Sequence, residues 1–298
     1  MAQRLLVVSP VHNEGRHIER VVRAVAAQRR PPDRWVIVDD SSSDDTLEIL
    51  RRLEGELDFM TVLQAPERTV GGEDRLIEAV EVHAFNHGLQ SVEADSFTHV
   101  AKLDGDIELP SEWYESLLGR LAADPALGIA GGQLRETVDG AERIIPIPQH
   151  HVHGALKLYS SECFRAIGGL QPRLGWDTID EAYARMAGFQ TCSFADPVAI
   201  HHRPLASRDG VLRGRARHGT CAYITHQSLP WVAARAVKVG SARPVGLGGA
   251  AFLYGYLQAA ARGTERVPDP ALRRFVRGEL RNRVRRALVP AGLGGTGR

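Results

Sequence analysis

The chain has 298 residues, 43% hydrophobic and 24% charged, which is long enough for a full globular core and excludes a disordered chain. Lys and Arg number 37 against 36 Asp and Glu, a near-neutral total that argues against nucleic acid as the main partner. The three cysteines, Cys163, Cys192 and Cys221, lie far apart without C-x-x-C spacing, which indicates neither a disulfide framework nor a zinc site and fits a reducing compartment.

In chain order, RLLVVS at 4–9 reads as a short buried strand, and its apolar run is too short for an export signal, so a cytoplasmic chain is expected. In EGRHIERVVRAVAAQ, Ile18, Val21, Val22 and Val25 recur at helical spacing until Pro31 and Pro32 stop the helix. RWVIVDD is a second strand ending in acids, and SSSDDTLEIL follows as a serine-capped helix with Leu47, Leu50 and Leu53 on one face. DFMTVLQA predicts a third strand, residues 75–91 a helix with Leu76, Val80 and Ala84 on one side, and SFTHVAKLD a fourth strand. Such alternation needs crossover connections, so the first hundred residues predict an α/β fold with a doubly wound, mostly parallel sheet and helices on both faces. Ligands of such sheets bind beyond the carboxyl ends of the strands, which singles out PVHNE, DDSSSD and DGDIE.

Further on, 111–122 predicts a helix, ALGIAGGQL a strand, and AERIIPIP an edge strand because of its prolines. SSECFRAIGGL reads as a serine-capped short helix, TIDEAYARMAGF carries the capping-box spacing Thr178 to Glu181, and QTCSFADPVAIHHRP returns as a strand ending in histidines. Strand signals then stop, which divides the chain into residues 1–205 and a helical extension at 206–298 with a disordered tail from about 290. The stretch VGLGGAAFLYGYLQAAA at 245–261 lacks the length and density of a membrane span and reads as a buried helix before one that rests on a membrane. From Arg262 onward Arg outnumbers the acids, which suits either a solvated helix or an anionic surface such as lipid headgroups.

Asp104 and Asp106 are alternate residues of an extended segment, so both carboxylates can reach one point. Hard divalent cations take oxygen ligands, and magnesium is held by one or two carboxylates plus substrate phosphates. An acidic surface turn is the alternative, as a helix cap is for Asp39 and Asp40.

The order of VVSPVHNE, VIVDDSSSDDT, AFNHGL and AKLDGDIELP resembles the family-2 glycosyltransferases over roughly residues 4–203. The resemblance implies a GT-A fold, transfer of a sugar from a nucleotide diphosphate donor with inversion, and a divalent cation, Mn2+ or Mg2+. It places Pro10, His12 and Glu14 around the nucleotide base, gives Asp40 a hydrogen bond from a uracil-like base, which favours a UDP-sugar, and sets Asp104 on ribose and metal. It makes Asp106 and His201 metal ligands, with His202 second to His201, and imidazole suits manganese. It makes Asp177 the catalytic base, with Asp180 one turn further as the alternative. The QHHVHG histidines fall where relatives contact acceptor or diphosphate. The implied acceptor is a glycan or polyprenyl-linked sugar in polysaccharide or cell-envelope glycan assembly, with peripheral membrane contact through the extension at the inner face of the cell membrane.

Two departures stand out: the aromatic usual at His12 is absent, and the basic residue often found six positions before Asn86 is replaced by Val80, leaving Arg75 without a role. Rival readings lack their own signals. A sugar-phosphate nucleotidyltransferase needs a Gly-rich phosphate loop followed by Arg, which SPVHNEG does not supply, and a dehydrogenase needs G-x-G-x-x-G after the first strand. A non-catalytic binding relative would have no use for Asp177.

Overall fold

Short β-branched runs covered on both sides form the centre of the sheet. The computed structural model describes residues 3–66, 75, 77–138, 140–203, 210–241 and 245–288. Leu5–Val11 (β1) is buried along its whole length and pairs in parallel with Arg34–Asp39 (β2) on one side and His99–Leu103 (β4) on the other. Met60–Gln64 (β3) extends β2, again in parallel. Continuous apolar strands of this kind belong in a sheet with no solvated face.

Ile107–Glu108 (β5), Leu127–Val138 (β6), Ala141–Ile144 (β7), Leu156–Ser160 (β8) and Gln190–His201 (β9) complete a nine-stranded mixed sheet among the described residues, ordered β3-β2-β1-β4-β8-β6-β9-β5 with β7 on β6. Antiparallel pairing enters at β4 with β8 and continues through β8 with β6, while β6 and β9 run parallel. Strand β8, LKLYS, was not foreseen, because Lys157 interrupts its apolar run.

The helices of this half are Ile18–Ala26 (α1), Thr46–Glu54 (α2), Val80–Gln90 (α3), Trp113–Ala123 (α4), Ser161–Ala166 (α5) and Trp176–Met186 (α6). Helix α1 buries Ile18, Val21, Val22 and Val25, the four residues its spacing pointed to. Ser160 caps α5 by accepting from the Cys163 amide at 3.2 Å. Three expectations are corrected. The helix predicted at 75–91 begins at Val80, after Ala79 in the left-handed region at φ 47°, and Leu76 lies outside the described residues. Helix α2 has no serine cap; Asp44 accepts from the Thr46 amide at 3.1 Å instead. The Thr178 to Glu181 capping box does not form, because α6 already starts at Trp176 behind Gly175 and the Glu181 side chain is used elsewhere.

The chain divides into two compact units, Met1–Ser207 and Arg208–Arg298. The second holds Val211–Ile224 (α7), Leu229–Gly240 (α8), Leu247–Ala261 (α9) and Pro270–Leu288 (α10). In α9 only one face is buried, through Gly248, Gly249, Phe252, Gly255, Tyr256 and Ala259, while Leu247, Tyr254 and Leu257 are exposed. The expectation of a buried helix therefore holds for half of its circumference. No helix among the described residues is long and apolar enough to cross a membrane. The tail expected from about 290 lies outside the described residues. Charge is divided sharply: residues 1–207 carry 20 Lys and Arg against 32 Asp and Glu, residues 208–298 carry 17 against 4.

Candidate active site

The carboxyl ends of β1, β2 and β4 bring the three polar segments together. Asn13, at φ 57°, turns the chain after β1, and its amide donates to Ser42 Oγ at 2.9 Å while its side-chain oxygen accepts from the Ser43 amide at 2.8 Å. His12 Nδ1 lies 2.7 Å from the Asp40 carbonyl and its Nε2 lies 3.3 Å from Asn13 Nδ2. Both ring nitrogens are thus engaged, with Nδ1 the donor. The Glu14 amide donates to Thr46 Oγ1 at 2.7 Å, and its carboxylate accepts from Arg203 at 2.6 Å. Pro10 is the next-to-last residue of β1 and is buried.

Asp40 is 6% exposed and pairs with Arg75, the residue left without a role by sequence reasoning. Beside it Asp39 accepts from the Ser42 amide through Oδ2 at 3.3 Å, while its buried Oδ1 has no hydrogen-bond partner.

The Asp-Gly-Asp turn after β4 is packed hard against the end of β1. A Cβ on Gly105 would stand 2.7 Å from Val11 Cγ1 and 3.0 Å from Glu14 Cγ, so glycine is required for the two acids to reach this place. Asp106 Oδ2 lies 3.4 Å from His201 Nε2, and His201 Nδ1 lies 2.6 Å from Glu136 Oε1. The pairing of β5 with β9, which sets Ile107 opposite His201, places the histidine there. Burial favours a protonated Asp106, yet His201 outweighs it and holds the carboxyl below its ordinary range. Burial pulls His201 down in turn, and the two carboxylates more than offset this, so its pKa is raised. His202 points elsewhere, with Nε2 2.8 Å from Glu108 Oε2 and its ring stacked on His17 at 5.2 Å between centroids.

Asp104 turns to Lys102. Burial, and then Asp106, push its carboxyl up against the pull of that ammonium. Among the described residues no three His, Cys, Asp or Glu side chains close into a metal cage.

Lys102 and Lys157 are direct partners across β4 and β8, and both are almost wholly buried, at 1% and 0% exposure. Their ammonium groups lie 5.1 and 5.5 Å from the Trp176 ring, whose indole N–H donates to Glu81 at 3.0 Å. Lys102 also donates to the Gly154 carbonyl at 3.3 Å. Lys157 donates to the Asp177 carbonyl at 2.5 Å, to both oxygens of Asp180 at 2.8 and 2.9 Å, and to Glu181 at 3.2 Å. Tyr159 adds a hydrogen bond to Asp180 at 2.5 Å, and Glu181 further takes the Val152 amide at 2.7 Å.

The three acids of α6 therefore differ. Burial pushes Asp180 up to about 6, against the pull of Lys157, and it is tied down at both oxygens. Glu181 lies low, at about 2, because Lys157 and His151 together overcome its burial. Asp177 is half-buried, and its carboxylate has no hydrogen-bond partner among the described residues. Gly154 packs against it: a Cβ there would meet the Asp177 Cβ at 3.2 Å and Trp176 at 3.0 Å. Because the Ala155 carbonyl also accepts from the Asp104 amide at 2.9 Å, the loop joins the Asp104 side of the site to the Asp177 side.

Sequence reasoning missed Lys102, Lys157, Tyr159, Glu136 and Glu181 as members of this site. The signal for the lysines was present as a single cation inside each of two apolar runs, HVAKL and LKLYS. Glu136 gave none, since it meets His201 across 65 residues of chain.

The mixed α/β sheet, with acids gathered at the ends of its parallel strands, is of the GT-A type found in the glycosyltransferase structures that it resembles. A sequence profile for glycosyl transferase family 2 matches residues 6–166, more than half of the chain, and the chain belongs to that family. It is similar to the glycosyltransferase AglE of Haloferax volcanii, 26% identical over 133 residues that cover 44% of this chain and 39% of that protein. The chain thus spans about two fifths of that curated relative. Among solved structures it resembles the mannosyltransferase PcManGT of Pyrobaculum calidifontis in complex with GDP-Man and Mn2+, with TM-score 0.55, 22% identity, and 97% of this chain and 82% of that chain covered. It also resembles S. aureus TarS 1–349 in complex with UDP-GlcNAc, with TM-score 0.53, 15% identity, and 86% and 72% covered. At these identities the likeness establishes the fold.

Proposed function

We propose that this glycosyltransferase is metal-dependent and inverting, moving a sugar from a nucleoside diphosphate donor, with UDP favoured, to a glycan or polyprenyl-linked acceptor in polysaccharide or cell-envelope glycan assembly. The observation that carries the reading is the contrast within α6: Asp180 and Glu181 neutralise a buried lysine, and Asp177 alone of the three keeps an unengaged carboxylate. Asp177 takes the proton of the acceptor hydroxyl as its oxygen attacks the anomeric carbon, and the nucleoside diphosphate leaves with the bonding pair. Asp180 positions the helix through Lys157.

The donor set of Asp106 and His201 fits a divalent cation. Each side chain brings one ligand atom, and Glu136 holds the far nitrogen of the imidazole, as outer partners of metal-bound histidines do. Two protein ligands suffice where substrate phosphates supply the others. Such a cation would neutralise charge on the departing diphosphate. Asp104 would join on releasing Lys102, Asp40 would receive the base, and His12 would offer its ring face.

Thermal stabilisation by UDP, GDP and their sugars, each with Mn2+ and with chelator, tests the reading, since a ligand of the native state raises the melting temperature with its concentration over its Kd. A Mn2+-dependent shift with one nucleotide and its loss in Asp106→Ala are expected; no shift with any of them would sink the donor site. Contact with a membrane at the inner face of the cell is supported by the exposed Leu247, Tyr254 and Leu257 and by the basic charge of residues 208–298. Failure to bind anionic vesicles at low salt would remove that part.

A further inference from the structure

The second unit holds polar atoms that its own fold leaves unmet, and they gather where the turn after α7 meets the segment leading into α10. His226, 7% exposed, lies in that turn. Its Nε2 is 2.7 Å from the Val267 carbonyl, so Nε2 carries the proton and donates, and in the neutral ring Nδ1 is a bare acceptor. That Nδ1 is buried without a hydrogen-bond partner.

Cations surround the same contact. Arg266, next to Val267, lays its guanidinium over the Tyr223 ring at 3.9 Å, three residues before His226. The Val267 carbonyl also takes the Asp269 amide at 2.8 Å, and the Asp269 carbonyl takes the Arg273 amide at 3.1 Å, which sets the first turn of α10 beside the histidine's partner. Arg273 and Arg277 are four residues apart and lie on one face of α10. Burial, and after it the charges of Arg266, Arg273 and Arg277, hold the His226 pKa below its ordinary value against the pull of the Val267 carbonyl.

Little nearby answers these charges. Among the described residues no carboxylate lies within ion-pair distance of Arg266, Arg273 or Arg277, and Arg266 Nε and Arg277 Nε are buried without a partner. The carbonyls that end α7 already have donors: Cys221 takes the Thr225 amide, Tyr223 the His226 amide and Ile224 the Val267 amide. Asp269 Oδ1 accepts from the Ala271 and Leu272 amides. Buried donors and a buried acceptor left unmet weaken the folded state, and a ligand that satisfies both must offer both kinds of group. A carboxylate or a sulfate offers oxygens alone. A phosphate group that keeps one proton offers oxygens to the guanidinium forks and a hydroxyl to the bare nitrogen.

We propose that His226, Arg266, Arg273 and Arg277 form a binding site for a phosphate group, the arginines on its unprotonated oxygens and its P–OH donating to His226 Nδ1. The site is built wholly from residues 208–298 and does not rest on the donor-site reading. Arg273 is exposed, which gives the ligand an approach from solvent. A soluble phosphate monoester and the terminal phosphate of a lipid headgroup share this chemistry.

Differential scanning fluorimetry of the full chain in phosphate and in sulfate tests the site, at equal ionic strength and about pH 6, where a phosphate group keeps a proton. Both salts stabilise proteins in general, so the difference between them reports binding. The wild type should melt about 3 °C higher in phosphate at ten times its Kd than in sulfate. Arg266→Gln/Arg277→Gln should lose that difference, and Arg262→Gln/Arg274→Gln, which removes the same charge from exposed positions, should keep it. Equal melting in the two salts overturns the inference, as does an equal loss in both double variants, which would make the effect one of general charge. Should Arg266→Gln/Arg277→Gln fail to fold, Arg273→Gln decides: a roughly tenfold weaker phosphate Kd supports the site and an unchanged one refutes it. Vesicles of phosphatidylcholine with phosphatidic acid, against phosphatidylglycerol at the same charge density, name the source. A preference for phosphatidic acid that the Arg266/Arg277 variant loses assigns the site to a lipid phosphate, and no preference beside an intact gain in inorganic phosphate assigns it to a soluble one.

Discussion

Replacing Lys157 with Met removes the ammonium that lies within 2.9 Å of both oxygens of Asp180. Glu181 keeps His151 at 3.1 Å and Arg185 at 3.9 Å, so the loss falls on Asp180, which retains only the Tyr159 hydroxyl and the Glu181 amide. Breaking a buried pair by deleting one partner costs about 3–5 kcal/mol. For a unit of this size each kcal/mol moves the melting temperature by about 2–4 °C, which gives a fall of about 6–20 °C. The sign of the pH dependence follows from Asp180. Its carboxyl is already raised to about 6, and removing the lysine takes away a downward pull, so below that value it is neutral and needs no cation. Differential scanning fluorimetry at pH 5 and pH 8 should therefore show the smaller deficit at pH 5. The double variant Lys157→Met/Asp180→Asn should recover much of the loss at pH 8. An equal deficit at both pH values, together with no recovery in the double variant, would refute the assignment of Asp180 as the structural partner of Lys157.

Asp177→Asn should lower turnover by about 10²–10⁴ while donor binding by calorimetry is unchanged; full transfer would remove Asp177 as the base. Glu136→Gln should weaken Mn2+ affinity by about 10–100-fold through the far nitrogen of His201, and titration of Mn2+ in the presence of UDP would show it. Burial lowers the pKa of His151, but Glu181 outweighs this and the net shift is upward. The stability that the pair contributes is thus complete below the ordinary histidine value and fades as pH rises through the raised one. His151→Gln should flatten that arm of the melting curve against pH, and an unchanged arm would show that His151 is not its source.

The parallel half of the fold was legible because β1 and β2 are apolar at nearly every position and break into polar residues at their carboxyl ends. The Asp-Gly-Asp turn was legible for a similar reason, since an apolar strand breaks there into polar residues and a glycine. Other elements followed rules that the sequence obeys in more than one way. Thr178 to Glu181 has capping-box spacing, but Glu181 serves Lys157, His151 and Val152, and nothing local distinguishes these uses. Lys157 reads as a break in an apolar run until β4 is laid beside it and Lys102 is seen opposite. The choice between His201 and His202 turns on β5, a strand of two residues that no periodicity detects. Partners such as Glu136 with His201 exist only once β6 and β9 are in register.

The division of charge between the two units has a consequence for how the molecule meets an anionic surface. Its total of +1 at pH 7 is the near-cancellation of an acidic unit and a basic unit, so the net charge describes neither of them. Within about 10 Å of such a surface at ordinary ionic strength, residues 208–298 are drawn in and residues 1–207 are pushed away.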